Sequence, residues 1–152
     1  MTDTPKITKE WIKGKNACES GYKWALRILD GKSMDSVEFI NKLLADDKWD
    51  WANWVIVRII THHQYLAYAT FYAENIIDIY EKSYPNDTLP RKAIEANKSV
   101  LINGDSETRY ITLAEMTFAW SEAWVTLELM ESARREIKTR VINYGIKLLE
   151  GK

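Results

Sequence analysis

The sequence predicts an all-α fold, a helical bundle of about six helices with a long C-terminal helix, and three observations carry that expectation. Apolar residues recur at steps of three and four along most of the chain, most plainly from His62 to Tyr84 and from Leu113 to Leu148. Capping patterns that pair Thr, Asn or Asp with Glu or Gln three residues on stand at the head of several of these stretches. Strand signals are nearly absent, since Tyr110–Thr112 is the one candidate and is too short to build a sheet.

Each element follows from local chemistry. Residues 1–7 read as a loose tail, and Thr8 caps a short helical turn that carries Trp11 and Ile12 and stops near Gly14. Asn16 with Glu19 restarts the helix, whose apolar face runs through Cys18, Tyr22, Ala25, Leu26 and Leu29 until Asp30 and Gly31 end it. Asp35 with Glu38 opens a segment that buries Phe39, Ile40, Leu43 and Leu44 and closes at Asp46 and Asp47. Asp50 begins a helix through Trp51, Trp54, Val55, Arg58, Ile59 and Ile60, and Thr61 with Gln64 turns the chain into the next one. A kinked continuous helix over 50–84 is the alternative at that point.

The helix over 62–84 is apolar nearly all round, which requires neighbours on several sides and places it at the centre of the bundle. Its polar residues Thr70, Glu74, Asp78 and Glu81 form one narrow stripe. It ends at Tyr84, because Pro85 excludes helical geometry from the residue before it. Pro90 sits in the first turn of the next helix, over 90–102, which stops at Asn103 and Gly104. Thr112 with Glu115 then opens the longest segment, where Leu113, Met116, Trp120, Ala123, Leu127, Met130, Arg134, Ile137, Val141, Tyr144 and Leu148 form a seam of coiled-coil type.

The totals set bounds on function. A chain of 152 residues is of single-domain length, and 1–152 is expected to form one helical domain. The formal net charge of −1 gives no global attraction to a nucleic-acid polymer or an anionic membrane. The single cysteine, Cys18, excludes an internal disulfide. The first residues lack a signal-peptide core, and no run reaches the roughly 18 apolar residues of a membrane span. A cytoplasmic protein of a bacterial or phage-infected cell is expected, with no cofactor.

Several residues invite chemical readings. His62 and His63 point about 100° apart on a helix, which is not the spacing of a two-histidine metal site, so no metal is expected. On a continuous helix His62 would share a face with Trp54 and Arg58, an aromatic and a cation suited to an anionic planar ligand; the plainer reading puts Arg58 in a salt bridge and Trp54 in the core. Glu74, Asp78 and Glu81 have the spacing of paired carboxylates but read first as partners for basic residues. No histidine motif, serine elbow or glycine-rich phosphate loop accompanies them, and no catalytic residue is assigned. Cys18 could carry a low thiol pKa at a helix start, although its register points to the core. Arg134, the one charge in the seam, needs a partner such as Glu74 or Asp78, or faces a ligand together with Arg135. Arg91, Trp120 and Trp124 complete the candidate set for a ligand or partner.

Beyond these readings, the string IIDIYEKSYPNDTLPRKAIEANK, the helix WANWVIVRII and the patch KNACESGYKWAL resemble a family of helical immunity proteins found in bacterial and phage genomes. The shared features fall on Cys18–Trp24, Asp50–Trp54 and Tyr84–Glu95, within residues 8–101. Past Leu101 this chain has a short NGDSETR linker and bulky side chains where the family continues in an alanine-rich run. The resemblance implies neutralisation of a toxin or defence effector by binding, and it supplies no catalytic residues. A sponge for a small anionic signal such as a nucleotide, or an enzyme acting on such a signal, are the other expectations. A homo-oligomer through residues 113–148 is also expected, because one helix of that length would be about 54 Å long and overhang a domain with a radius of gyration of about 15 Å.

Overall fold

The structure, a computed structural model, describes residues 4–104 and 106–152. Among the described residues it is mostly helical, 78%, with eight helices and one two-stranded sheet. The chain divides into two compact units, Met1–Ile59 with Leu149–Lys152, and Ile60–Leu148.

In the first unit, β1 (Lys6–Ile7) pairs antiparallel with β2 (Met34–Asp35), so the segment expected to be a loose tail is held down over the residues described. The hydroxyl of Thr4 donates to Asp35, Ser36 N–H donates to the Pro5 carbonyl at 2.9 Å, and Ile7 is fully buried. Residues 1–3 of that predicted tail lie outside the described residues. A two-residue strand carries no periodicity, which is why nothing in the sequence marks it.

Helix α1 (Lys9–Gly14) starts at Thr8, whose side chain accepts from Trp11 N–H at 3.1 Å, as its capping chemistry requires. Asn16 does not restart a helix: it turns the chain with φ of 56°, a left-handed conformation that asparagine tolerates. Helix α2 (Glu19–Leu29) follows with Cys18 as its N-cap, and Asp30 at φ 48° and Gly31 at φ 73° end it where expected. In α3 (Ser36–Ala45) the Asp35 carboxylate accepts from Val37 and Glu38 N–H at 2.9 and 3.2 Å. Helix α4 (Trp49–Ile59) completes the unit.

In the second unit, α5 (His62–Ser83) is the central helix. The Thr61–Gln64 capping box forms in full, with Gln64 N–H donating to Thr61 at 3.1 Å and Thr61 N–H to Gln64 at 2.9 Å, so α4 and α5 are separate helices. Helix α6 (Leu89–Asn103) stops at Gly104, φ 71°, and locks to the acidic stripe of α5. Arg91 pairs with Glu81 at 2.5 Å and Asp78 at 3.0 Å, and Lys98 with Glu74 at 2.5 Å.

The C-terminal segment departs most from expectation. It is two helices, α7 (Glu107–Glu128) and α8 (Glu131–Leu149), divided at Leu129, whose φ of −97° and ψ of 142° are extended. Helix α7 also begins five residues before Thr112, inside the expected linker, and takes in Tyr110–Thr112. Its buried face is Tyr110, Ala114, Ser121 and Val125, while Met116 and Leu127 of the expected seam are 67% and 78% exposed. The small side chain of Ala114 packs in one buried cluster with Leu66 and Ala69 of α5, and α5 makes its most extensive contact with α7. Small residues at a helix crossing let the backbones approach closely.

Arg134 explains how the break is tolerated. Rather than pairing with Glu74 or Asp78, its guanidinium donates to the carbonyls of Thr126 at 2.8 Å and Leu129 at 3.1 Å, the open end of α7. Ending α7 there lets α8 bury Ile137, Val141 and Ile142 within this chain. Full burial of such side chains contributes about 1.5–3 kcal/mol each, more than the intrahelical bonds forgone at one break. Phe71 and Tyr144 stack at 4.2 Å, and Gln64 donates to the Leu148 carbonyl at 2.9 Å, which seats α8 on α5.

Candidate functional site

The first unit contains an apolar recess of about 260 Å³ lined by residues of α1, α2, α3 and α4. Phe39 and Leu43 of α3, Val55 of α4 and the indoles of Trp24, Trp51 and Trp54 are among the residues that line it. Trp24 meets Phe39 edge-on at 5.5 Å and Trp51 at 6.1 Å, while Trp11 meets Trp54 edge-on at 6.0 Å. Rings joined edge-to-face brace one another, so the walls are built before any ligand arrives. Trp24 Nε1 is satisfied by Asp46 Oδ2 at 2.7 Å, which fixes the indole in one orientation.

Gly21 explains why the recess is open. It lies in the first turn of α2 and lines the cavity; a Cβ there would sit 3.2 Å from Cys18 Sγ and 3.8 Å from the Trp51 ring. A helical glycine without a positive φ marks a place where side-chain volume is excluded for a reason of packing or access. Cys18 lies beside it, also lining the recess, and is exposed rather than in the core. The Ser20 hydroxyl, 3.5 Å from the sulfur, and the Gly21 N–H lower the thiol pKa below its ordinary value. Asn16 is the remaining polar residue of the lining.

The second unit holds a larger apolar recess of about 400 Å³, bounded by residues of α5, α6 and α7 that include Ala73, Ile94, Leu113, Met116 and Trp120. Tyr80 closes one end by donating to Asp87 at 2.6 Å, and that bond pushes the phenol pKa up to about 12. Among the described residues no group of His, Cys, Asp and Glu could hold a metal, and no helix is long and apolar enough to cross a membrane.

The residues singled out from the sequence are not gathered into one site. Trp54 and Arg58 do meet: the guanidinium lies 4.1 Å above the indole and donates to the Trp54 carbonyl at 3.0 Å. His62 instead pairs with Glu107, Nδ1 to Oε1 at 2.7 Å. Arg91 is occupied by Glu81 and Asp78, which hold its pKa above the ordinary value, and Glu81 is lowered by the same contact. Trp120 and Trp124 pack edge-on against Tyr80 at 5.4 and 5.9 Å, and Trp124 Nε1 is buried with no acceptor among the described residues. Arg134 closes the end of α7, and Arg135 is exposed. The residues that sequence reasoning left out as candidates, Trp24 and Gly21, carried one usable signal: a glycine amid the helical run ESGYKWAL with no turn to make.

No family model matches the chain, and no curated protein or solved structure matches it either. These comparisons add nothing to the resemblance drawn from residues 8–101. What fold and cavity define together is an all-α protein with an open recess walled by three indoles.

Proposed function

We propose that the chain is a non-enzymatic binding protein of the immunity or counter-defence type, acting in the cytoplasm, which neutralises a toxin or defence effector by occlusion. Its seat for the effector is the recess between α1, α2, α3 and α4, which receives one anchor side chain of the partner. The observation that carries this reading is the cavity of about 260 Å³ with walls of Trp24, Trp51 and Trp54. Binding energy at protein interfaces concentrates where a large side chain fills a preformed, desolvated pocket, and aromatic residues dominate such places. The volume lies below the roughly 300–1,000 Å³ of recesses that take drug-sized ligands and suits a single side chain. Both segments of the immunity-type resemblance that precede Tyr84, Cys18–Trp24 and Asp50–Trp54, supply its walls.

The test is affinity capture from cells carrying candidate effectors, with the wild type beside Gly21→Leu, whose Cβ, 3.2 Å from Cys18 Sγ, obliges that thiol to give way as the side chain takes up space in the recess. One dominant effector held by the wild type and lost with the variant, at unchanged helicity, supports the reading. Equal capture by both overturns the recess as the seat.

A sponge for a small anionic signal is the second reading, favoured by Arg58 stacked on Trp54 at 4.1 Å. The first is preferred because Arg91 and Arg134 are already engaged with carboxylates and carbonyls. The proposal includes a homo-oligomer through residues 113–148, now resting on the exposed Met116, Leu127 and Met130 rather than on an overhanging helix. Sedimentation at micromolar concentration should show more than one subunit, with Leu127→Asp lowering the mass.

A further inference from the structure

The indoles of Trp24 and Trp51 have a second side. Beyond the apolar recess they also border an open groove lined by Ser20, Lys23, Arg27, Asp46 and Lys48. Three cations thus lie along a wall that the recess shares. Lys48 Nζ sits 4.8 Å above the Trp51 ring, so one charge is fixed directly at the boundary between the two depressions. Lys23 is paired with Glu19 at 2.5 Å on an exposed surface, and Asp46 is engaged by the Trp24 indole at 2.7 Å. Among the described residues neither Arg27 nor Lys48 joins a salt bridge.

The chemistry of the two depressions differs, and the difference selects an occupant. The lining side chains of the recess are apolar apart from Asn16, the Cys18 thiol and the indole N–H groups, of which that of Trp24 is already given to Asp46, so a nucleobase buried there would find few acceptors for its own donors, and polar groups left unpaired weaken binding. An apolar side chain incurs no such cost. Next to it, cations at the rim favour a negative group that stays partly in water, where they act more on selection and encounter rate than on total affinity. In an extended peptide, side chains two residues apart lie about 7 Å from one another on the same side of the strand, a reach that spans one shared indole wall.

We propose that the partner presents an acidic peptide segment: one aromatic or large aliphatic side chain enters the recess, and a carboxylate within two positions of it lies over Lys48 and Arg27. The inference rests on the recess being the binding seat, and the experiment separates failure of one from failure of the other.

The probes are two fluorescent pentapeptides, both N-acetylated and C-amidated, one with the core Trp-Glu-Asp and the other with Trp-Gln-Asn, together with adenosine monophosphate. Binding is measured by anisotropy, and by nuclear magnetic resonance where affinities are millimolar. The acidic peptide should bind about ten-fold more tightly than the neutral one at low salt, with the gap closing as salt screens the cations. In Lys48→Ala/Arg27→Ala, with helicity unchanged, the acidic peptide should fall to the level of the neutral one, whose own affinity stays the same. Gly21→Leu should weaken both. Equal affinity of the two peptides for the wild type, or an acidic preference that survives the double substitution, overturns the acidic partner while leaving the recess as a seat. Failure of both peptides to bind overturns the seat and the inference with it. Tighter binding of the nucleotide than of either peptide assigns the groove to a small anion and overturns the peptide.

Discussion

Replacing Val125 with alanine should cost far more than replacing Leu127, although the seam read from the sequence runs through Leu127 and misses Val125. Val125 is 0% exposed on the face of α7 that carries Ala114 and Ser121, whereas Leu127 is 78% exposed. Val125→Ala deletes two methyl groups; at about 0.8 kcal/mol for each buried carbon, transfer alone costs roughly 1.6 kcal/mol. The cavity left behind raises this to about 2–3 kcal/mol, because a helix pinned by close contact with α5 relaxes only in part. Leu127→Ala removes a larger side chain yet, measured at a concentration low enough to keep the chain monomeric, should change stability by less than about 0.5 kcal/mol, as exposed substitutions do. Urea unfolding, with midpoints compared at unchanged slope, reads the difference, and for a chain of this length it corresponds to roughly 4–12 °C in melting temperature. A Leu127→Ala loss equal to or greater than that of Val125→Ala would show that the expected seam, not the observed face, packs α7, and the account of the second unit would fall.

Three further outcomes follow from named contacts. Arg134→Met keeps the length of the side chain but removes the donors to the Thr126 and Leu129 carbonyls; it should destabilise the protein by about 1–3 kcal/mol, read by urea unfolding, with Arg134→Lys in between. The Tyr80 phenol, raised from 10.0 to about 12 by its bond to Asp87, binds its proton more tightly in the folded chain than in the unfolded one. Its contribution is therefore whole below pH 10.0 and lost as pH rises through about 12; the same bond lowers Asp87 from 3.8, so that contribution is lost as pH falls below that value. The difference in melting temperature between wild type and Tyr80→Phe should shrink at both extremes and hold steady between them. Alkylation of Cys18 followed against pH should have its midpoint below the ordinary 9.0, and Ser20→Ala should move it upward.

Much of the architecture was legible because it is local. Thr8, Asp35 and Thr61 each cap the helix their neighbours lead into, and Asp30, Gly31 and Gly104 stop helices by taking positive φ, all decided within a few residues. The break at Leu129 was not legible, since neither glycine nor proline marks it; it depends on a guanidinium five residues on and on apolar burial by α8. The face of α7 was misjudged because a seam is sought among bulky residues, while its buried face includes the small Ala114 and Ser121, with Ala114 packed beside Ala69 of α5. Glu74, Asp78 and Glu81 were legible as partners for basic residues, and Lys98 and Arg91 of α6 are those partners. The recess could not be read from spacing at all, for its walls come from residues as far apart as Ile12 and Val55 and exist only once four helices meet. Charge and aromaticity drew attention to Arg91, Arg134, Trp120 and Trp124, whose roles are internal.

The most direct measurement is the set of indole N–H resonances of the 7 tryptophans, recorded while the acidic Trp-Glu-Asp pentapeptide is added. With signals assigned by single Trp→Phe substitutions, Trp51 and Trp54 should move in a saturable way, with Trp24 following, because these rings wall the recess. Trp120 and Trp124, which pack on Tyr80 in the other unit, should stay in place, and Gly21→Leu should abolish the movement. Shifts confined to Trp120 and Trp124, or none at saturating peptide, would contradict the account.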